Sequence, residues 1–223
     1  MNTPSSHTGF TRRELALAIG LIGTGISCFA LAQEPAKASA DVTAAAKRAR
    51  NIHTLLYTWA QDNNQVLPTA TQSSNEAFRE LFKARIVDDE RLFAIPGDAW
   101  HNSSTSKKGP DGNTGTAPEF AEALASGECA WAYVSGWTTA SRSDYPLIAN
   151  AFTESIGVYS NDKSHKGGVF EGKQAIYVTV GGSAFTPDLN DEWRIMAKKG
   201  SKTVDVFSND YGTNPDHVKN PEG

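Results

Sequence analysis

The groups in this sequence whose type and spacing could do chemistry are mostly carboxylates. Asp188-Leu189-Asn190-Asp191-Glu192 and, further on, Asp205 with Asn209-Asp210 place hard oxygen donors in short loops, the donor type that calcium takes. Solvated turns have the same composition, so calcium is the only metal these residues suggest and no other cofactor is called for. A different carboxylate, Glu14, stands at the head of the run Leu15 to Ala32, eighteen residues without a charge. The neighbouring Arg12 and Arg13 are long enough to reach a polar boundary, whereas a carboxylate one turn into an apolar helix is not and needs a positive partner. The histidines His7, His53, His101, His165 and His217 show no zinc spacing, and no His-Glu-x-x-His, Gly-x-Ser-x-Gly or phosphate loop occurs. No catalytic centre is expected. His165, beside Gly167-Gly168, reads as a turn or surface residue. Cys28 lies in the apolar run, which leaves Cys129 with no disulfide framework around it. Trp100, Trp131, Trp137 and Tyr133 could line a sugar-binding surface, but aromatic residues on strands more commonly fill a core.

The elements that must position these groups are bounded by composition. A chain of 223 residues that is 39% apolar and 21% charged supports one ordinary core plus an appendage, and it is neither a disordered chain nor a polytopic membrane protein. A formal net charge of -4 gives no electrostatic footprint for nucleic acid. Past Gln33, the residues Val42, Ala45, Ala49, Ile52, Leu56 and Trp59 step by three and four, the spacing of a helical face. Lys47, Arg48 and Arg50 fall off this stripe and read as a solvated flank. Asp62-Asn63-Asn64 ends the pattern, with asparagine able to take the left-handed turn of a helix C-terminus.

The apolar run fits four descriptions. Arg12-Arg13 with the Ala30-Leu31-Ala32 triplet suits a twin-arginine export signal that would release a soluble periplasmic protein from near Gln33, either a binding protein or an enzyme with an aromatic surface site. Gly25-Ile26-Ser27-Cys28 suits a lipoprotein signal poorly. An ordinary one-pass anchor accounts for the hydrophobicity but leaves Glu14 unexplained. Lastly, Gly9-Phe10-Thr11-Arg12-Arg13-Glu14-Leu15 resembles the processing site of type IV pilins and type II secretion pseudopilins. The resemblance implies cleavage between Gly9 and Phe10 and N-methylation of Phe10 by prepilin peptidase. It also implies that Glu14 neutralises the new ammonium of a neighbouring subunit within a shared helix bundle. Basic residues ahead of the run place the N-terminus in the cytoplasm and the rest across the inner membrane in the periplasm. The leader MNTPSSHTG departs from the usual pattern in lacking Lys or Arg.

Leu55-Leu56-Tyr57-Thr58-Trp59-Ala60-Gln61-Asp62-Asn63-Asn64-Gln65-Val66-Leu67-Pro68 resembles, more narrowly, the helix end of pseudopilin-like proteins of the Verrucomicrobia and Planctomycetes group. Gln65 stands here where those proteins usually have glycine, so Asn63 or Asn64 is expected to make the left-handed turn. Ala130 to Gly136, Ser143 to Leu147 and His165 to Phe170 are similar to later segments of that group. Gly181-Gly182-Ser183 replaces its usual Asp-Gly-His.

The organisation this implies is α+β and pilin-like, a long N-terminal helix packed on a small antiparallel β-sheet. The leader would occupy 1–9, a transmembrane helix 10–32, an amphipathic helical stalk 33–62, an α+β head 63–207 and a flexible tail 208–223. Within the head, the pattern predicts a helix over 76–84 capped by Ser73, Ser74 or Asn75, a strand over 92–95, a long loop over 101–116 and a helix over 117–125. Strands are predicted over 129–137 and 174–180, followed by a hairpin turn at Gly181-Gly182 into 183–185, with weaker ones over 193–196 and 203–207. The expected role is assembly with other pilin-like subunits through the membrane, without catalysis.

Overall fold

The step of three and four residues that begins at Val42 survives as a buried stripe. In a computed structural model, which describes residues 33–101 and 109–223, helix α1 spans Gln33–Asp62. The chain divides into two compact units, Met1–Ala40 and Asp41–Gly223. The described part of the first is the opening of α1, and all packing below belongs to the second. The expected leader over 1–9 and membrane helix over 10–32 lie outside the described residues. Ala45, Ala49, Ile52, Leu56 and Ala60 are fully buried, with Val42 nearly so. Ala60 rather than Trp59 ends the stripe, because a true helical period drifts by a residue over five turns. Trp59 is half-buried at its edge. Arg48, expected to be solvated, instead donates to the carbonyls of Arg91 and Ala94 and ties the helix to the following segment. The helix stops where Asn64 and Gln65 both take positive φ, 54° and 64°. Gln65, not asparagine alone, therefore makes the left-handed turn, and its N–H reaches back to the Ala60 carbonyl.

Strands β1 (Trp131–Val134), β2 (Pro146–Asn150), β3 (Tyr177–Thr179), β4 (Ala184–Phe185) and β7 (Val218–Lys219) form an antiparallel sheet in the order β4-β3-β2-β1-β7. Its two faces meet different layers. Trp131, Tyr133, Ile148 and Val178 pack with the α1 stripe and with Ala77, Phe78, Leu81 and Phe82 of α2 (Ser74–Lys83). Ala132, Val134, Ala149, Tyr177 and Val218 pack on the opposite side with Phe152, Tyr159, Ile195, Val206 and Phe207. A register shift between Pro146 and Ile148 lets Leu147 join Ile148 on the helix side. Both faces being covered explains why β1, β2 and β3 are buried at every residue and lack an apolar-polar alternation. The second side is closed by the hairpin β5 (Met196–Lys199) and β6 (Lys202–Asp205) and by irregular chain.

Several expectations are corrected. Residues 92–95 are not a strand but the end of a 3-10 turn, Glu90–Phe93, fixed because the Asp89 side chain accepts from the Arg91 N–H and Phe93 turns in against Phe78 and Phe82. Residues 117–125 form turns rather than a helix. Phe120 and Leu124 have positive φ, and the Leu124 N–H goes to the Glu90 carboxylate instead of a helical carbonyl. The tail is not loose. β7 pairs with β1, and Asn220 accepts from the Phe152 N–H while donating to the Phe152 and Thr153 carbonyls. Glu222 takes the Ser73 hydroxyl on its side chain, and its backbone meets Asn75 and Gly127. These bonds also account for the absence of a side-chain cap at Ser73, which opens α2 with its hydroxyl turned to the tail.

Candidate functional site

The strongest electrostatic feature among the described residues is one the sequence did not single out. The 3-10 turn carries Glu90, the loop at Asp111-Gly112 carries Asp111, and the turn that enters β1 carries Glu128. A ligand atom from each of these three carboxylates lies within 4.8 Å of the others. Glu90 and Glu128 are buried and Asp111 is exposed. Glu90 accepts from the Leu124 and Gly112 N–H groups at 2.6 and 3.0 Å, and Glu128 accepts from those of Ala125 and Asp111 at 2.7 and 3.2 Å. Two side chains thus tie down four backbone donors of the 111–125 segment. The cost is like charge at short range. Burial first, and the Glu90 carboxylate second, push the Glu128 carboxyl up to about 7. Beside it lies an open depression of 560 Å³, lined by Asp88, Asp89, Glu90, Arg91, Pro110, Asp111 and Gly112. Arg91 is occupied by Asp89, whose carboxyl it holds below the usual range. Chemically, the trio can hold a proton or a hard cation, with Asp111 as its solvent-facing member.

The carboxylates read as calcium candidates do not converge. Asp188 accepts from the Gln174 amide. Asn190 accepts from the Glu192 and Arg194 N–H groups and so shapes its own turn. Asp205 pairs with Arg194 at 2.6 Å and accepts from the Phe207 N–H. Asp210 contributes its carbonyl to Lys199, and Asp191 is exposed. Asp188, Asn190 and Asp205 thus build loop structure, and no three of the four aspartates share a site.

The remaining candidates have structural positions. His165 is exposed and paired with Asp162 at 2.9 Å. His53 stacks on Tyr57 at 4.4 Å, and both side chains reach the Val180 carbonyl, which fixes the β3 hairpin to α1. Burial lowers the His53 pKa and so favours the neutral ring. Trp131 and Tyr133 are fully buried, Trp100 is nearly so, and the half-buried Trp137 donates its indole N–H to Pro146. These aromatics belong to the core rather than to a sugar-binding surface. Cys129 is buried, and its thiol is pushed up to about 12, which removes it from nucleophilic chemistry near neutrality. Gly9, Phe10 and Glu14 lie outside the described residues. Among the described residues, no helix is long and apolar enough to cross a membrane. Compared with models of known protein families, with curated proteins and with solved structures, the chain matches none of them.

Proposed function

We propose that this chain is a pseudopilin-like structural subunit, without catalytic activity of its own, that assembles through its N-terminal helix into a type II secretion or type IV pilus-like filament of the cell envelope. One observation carries the proposal. The helix Gln33–Asp62 lays a buried stripe, from Val42 to Ala60, on an antiparallel sheet, and in sequence it directly follows the charge-free run that begins after Glu14. A helix of that design needs its first half only for anchorage and contact with its own kind, and its second half only to carry the head.

In this proposal, prepilin peptidase cuts between Gly9 and Phe10 and methylates the new amine. The run 10–32 holds the subunit as a single-pass protein of the inner membrane, with the head in the periplasm, and Glu14 meets the ammonium of a neighbouring copy or related subunit. The energetic reason is the cost of leaving a carboxylate unpaired in hydrocarbon, a few kcal/mol by insertion scales. N-terminal mass spectrometry of the protein from its native host is the test. Methylated Phe10 as first residue is expected. Residues 1–9 still present in a host with an active leader peptidase would overturn the proposal, and a start near Gln33 would identify an exported soluble protein instead. Substituting Glu14→Ala should abolish co-assembly with partner subunits while leaving the head folded.

A further inference from the structure

On the hairpin side of the sheet, a depression of 360 Å³ opens where β3 and β4, the Arg142 to Tyr145 turn and the tail segment at Tyr211 meet. Its volume lies near the lower end of small-molecule sites, which run from about 300 to 1,000 Å³. Phe185 is 45% exposed, one of the few large apolar side chains left open among the described residues. Its inner face stacks on Tyr177 at 5.0 Å and 19°, its cross-strand partner, so the outer face is held in a fixed plane.

The polar groups around that ring share one property. Tyr177 is only 7% exposed, yet its hydroxyl makes no hydrogen bond to any described residue and is not among the groups sealed away from solvent. Ser143, Thr179 and Ser183 line the same depression, and their side chains make no hydrogen bond to a described residue. The Tyr211 hydroxyl makes only a long contact, 3.4 Å, with the Asp144 carbonyl. Hydroxyls that reach solvent without a protein partner are met by water, which the hydroxyls of a ligand can replace.

The charges narrow the ligand. Asp144 is held bidentately by Arg142 at 3.0 and 2.8 Å, and Lys199 sits 5.9 Å from the Tyr211 ring. These charges are already engaged within the protein, Asp144 by Arg142 and Lys199 by the Asp210 and Tyr211 carbonyls, so none is left over to hold a charged ligand. What remains is a neutral molecule with an apolar face for Phe185 and several hydroxyls for the oxygens opposite. A pyranose ring has that arrangement, C–H bonds on one face and hydroxyls around the rim.

We propose that this depression binds a neutral saccharide, one ring lying against the open face of Phe185 with its hydroxyls on Ser143, Tyr177, Thr179 and Ser183. The site belongs wholly to the head and is independent of how the N-terminus is processed.

The test is ligand-observed saturation-transfer NMR on the full chain in lipid nanodiscs, since sugar-headed detergents would compete. The probes are maltotriose, cellotriose, mannotriose and N-acetylated chitotriose, all neutral, each at up to about 10 mM, a range that reaches weak single-site affinities. Saturation transfer to the ring protons of at least one probe is expected. Phe185→Ala should weaken it by about tenfold or more, and Ser183→Ala by several-fold, equivalent to about 1.4 kcal/mol and less. Both side chains are on the surface, so circular dichroism of the two variants should match that of the parent. Absence of transfer to all four probes would overturn the proposal, as would transfer that survives Phe185→Ala undiminished.

Discussion

The two faces of the central sheet are closed by different means. On the helix side, the periodic stripe of α1 and the apolar face of α2 deliver Ile52, Leu56, Phe78, Leu81 and Phe82, all essentially unexposed. No α-helix of the described residues covers the other side. Phe152, Tyr159 and Phe207 form an aromatic cluster, with ring centroids 5.2 and 4.8 Å from Phe152, and the chain around them is held by polar ties. Asn220 clasps Phe152 and Thr153, Asn150 accepts from the Ile176 N–H, and Arg194 pairs with Asp205. The ties are incomplete: the Asn150 amide nitrogen, the Tyr159 hydroxyl and the Thr213 hydroxyl are buried without partners. Packing that is spread over many methylenes loses a little with each change. Packing held by single polar groups loses a whole loop when one is removed.

The largest effects should come from emptying each side. Phe152→Ala is expected to destabilise by about 3–5 kcal/mol and Leu56→Ala by about 2–5 kcal/mol, read from urea unfolding midpoints. No fully buried side chain belongs to both clusters, so the double variant should be additive within about 0.5 kcal/mol. A coupling well above that would mean one core rather than two. Next in size is Asn220→Ala, which removes three hydrogen bonds and should cost about 1–3 kcal/mol. Its distinguishing sign is local, a rise in amide exchange at Phe152 and in β7 with the α1 amides unchanged; a uniform rise would contradict the polar-tie account.

On the helix side, the buried carboxyl at Glu128 shows as a pH dependence. The folded Glu128 carboxyl stands at about 7, above its unfolded value of about 4.5. The folded state therefore binds more protons between those values, and stability falls as pH rises from about 4.5 to 7. Glu128→Gln should flatten that part of the profile in thermal melts taken across the range. An unchanged slope would show that neither burial nor Glu90 raises the Glu128 carboxyl in solution.

What the sequence made legible follows the same division. The α1 stripe was visible as far as Leu56 because its spacing is local, and the β3 to β4 turn was visible because Gly182, at φ 82°, sits where a side chain would be strained. Gly182 also lies against the His53 ring, so the turn that the local pattern marks is braced by a residue far off in sequence. The tail was misjudged because its hold on the fold comes from Asn220 and Glu222, whose partners stand 68 and 147 residues away. The 3-10 turn at Glu90 and the broken turns before Leu124 were missed together, since each exists through the bond between them. The acidic trio left no motif for the same reason: its members come from three unrelated segments. Gly9 and Phe10 are legible only by resemblance and Glu14 also by its place at the head of the charge-free run, and their test lies in the N-terminus of the protein from its native host.

The two rims of the sheet, β4 and β7, are two residues long. A subunit that works among many copies of itself is exposed to a hazard that a dilute monomer rarely meets, the capture of a neighbour's strand by an open rim. Here an intruding strand would find only a stub of free main chain before the backbone turns away. In the proposed filament, misassembly by strand exchange would thereby be disfavoured, and ordered growth left to whatever contacts the helices make.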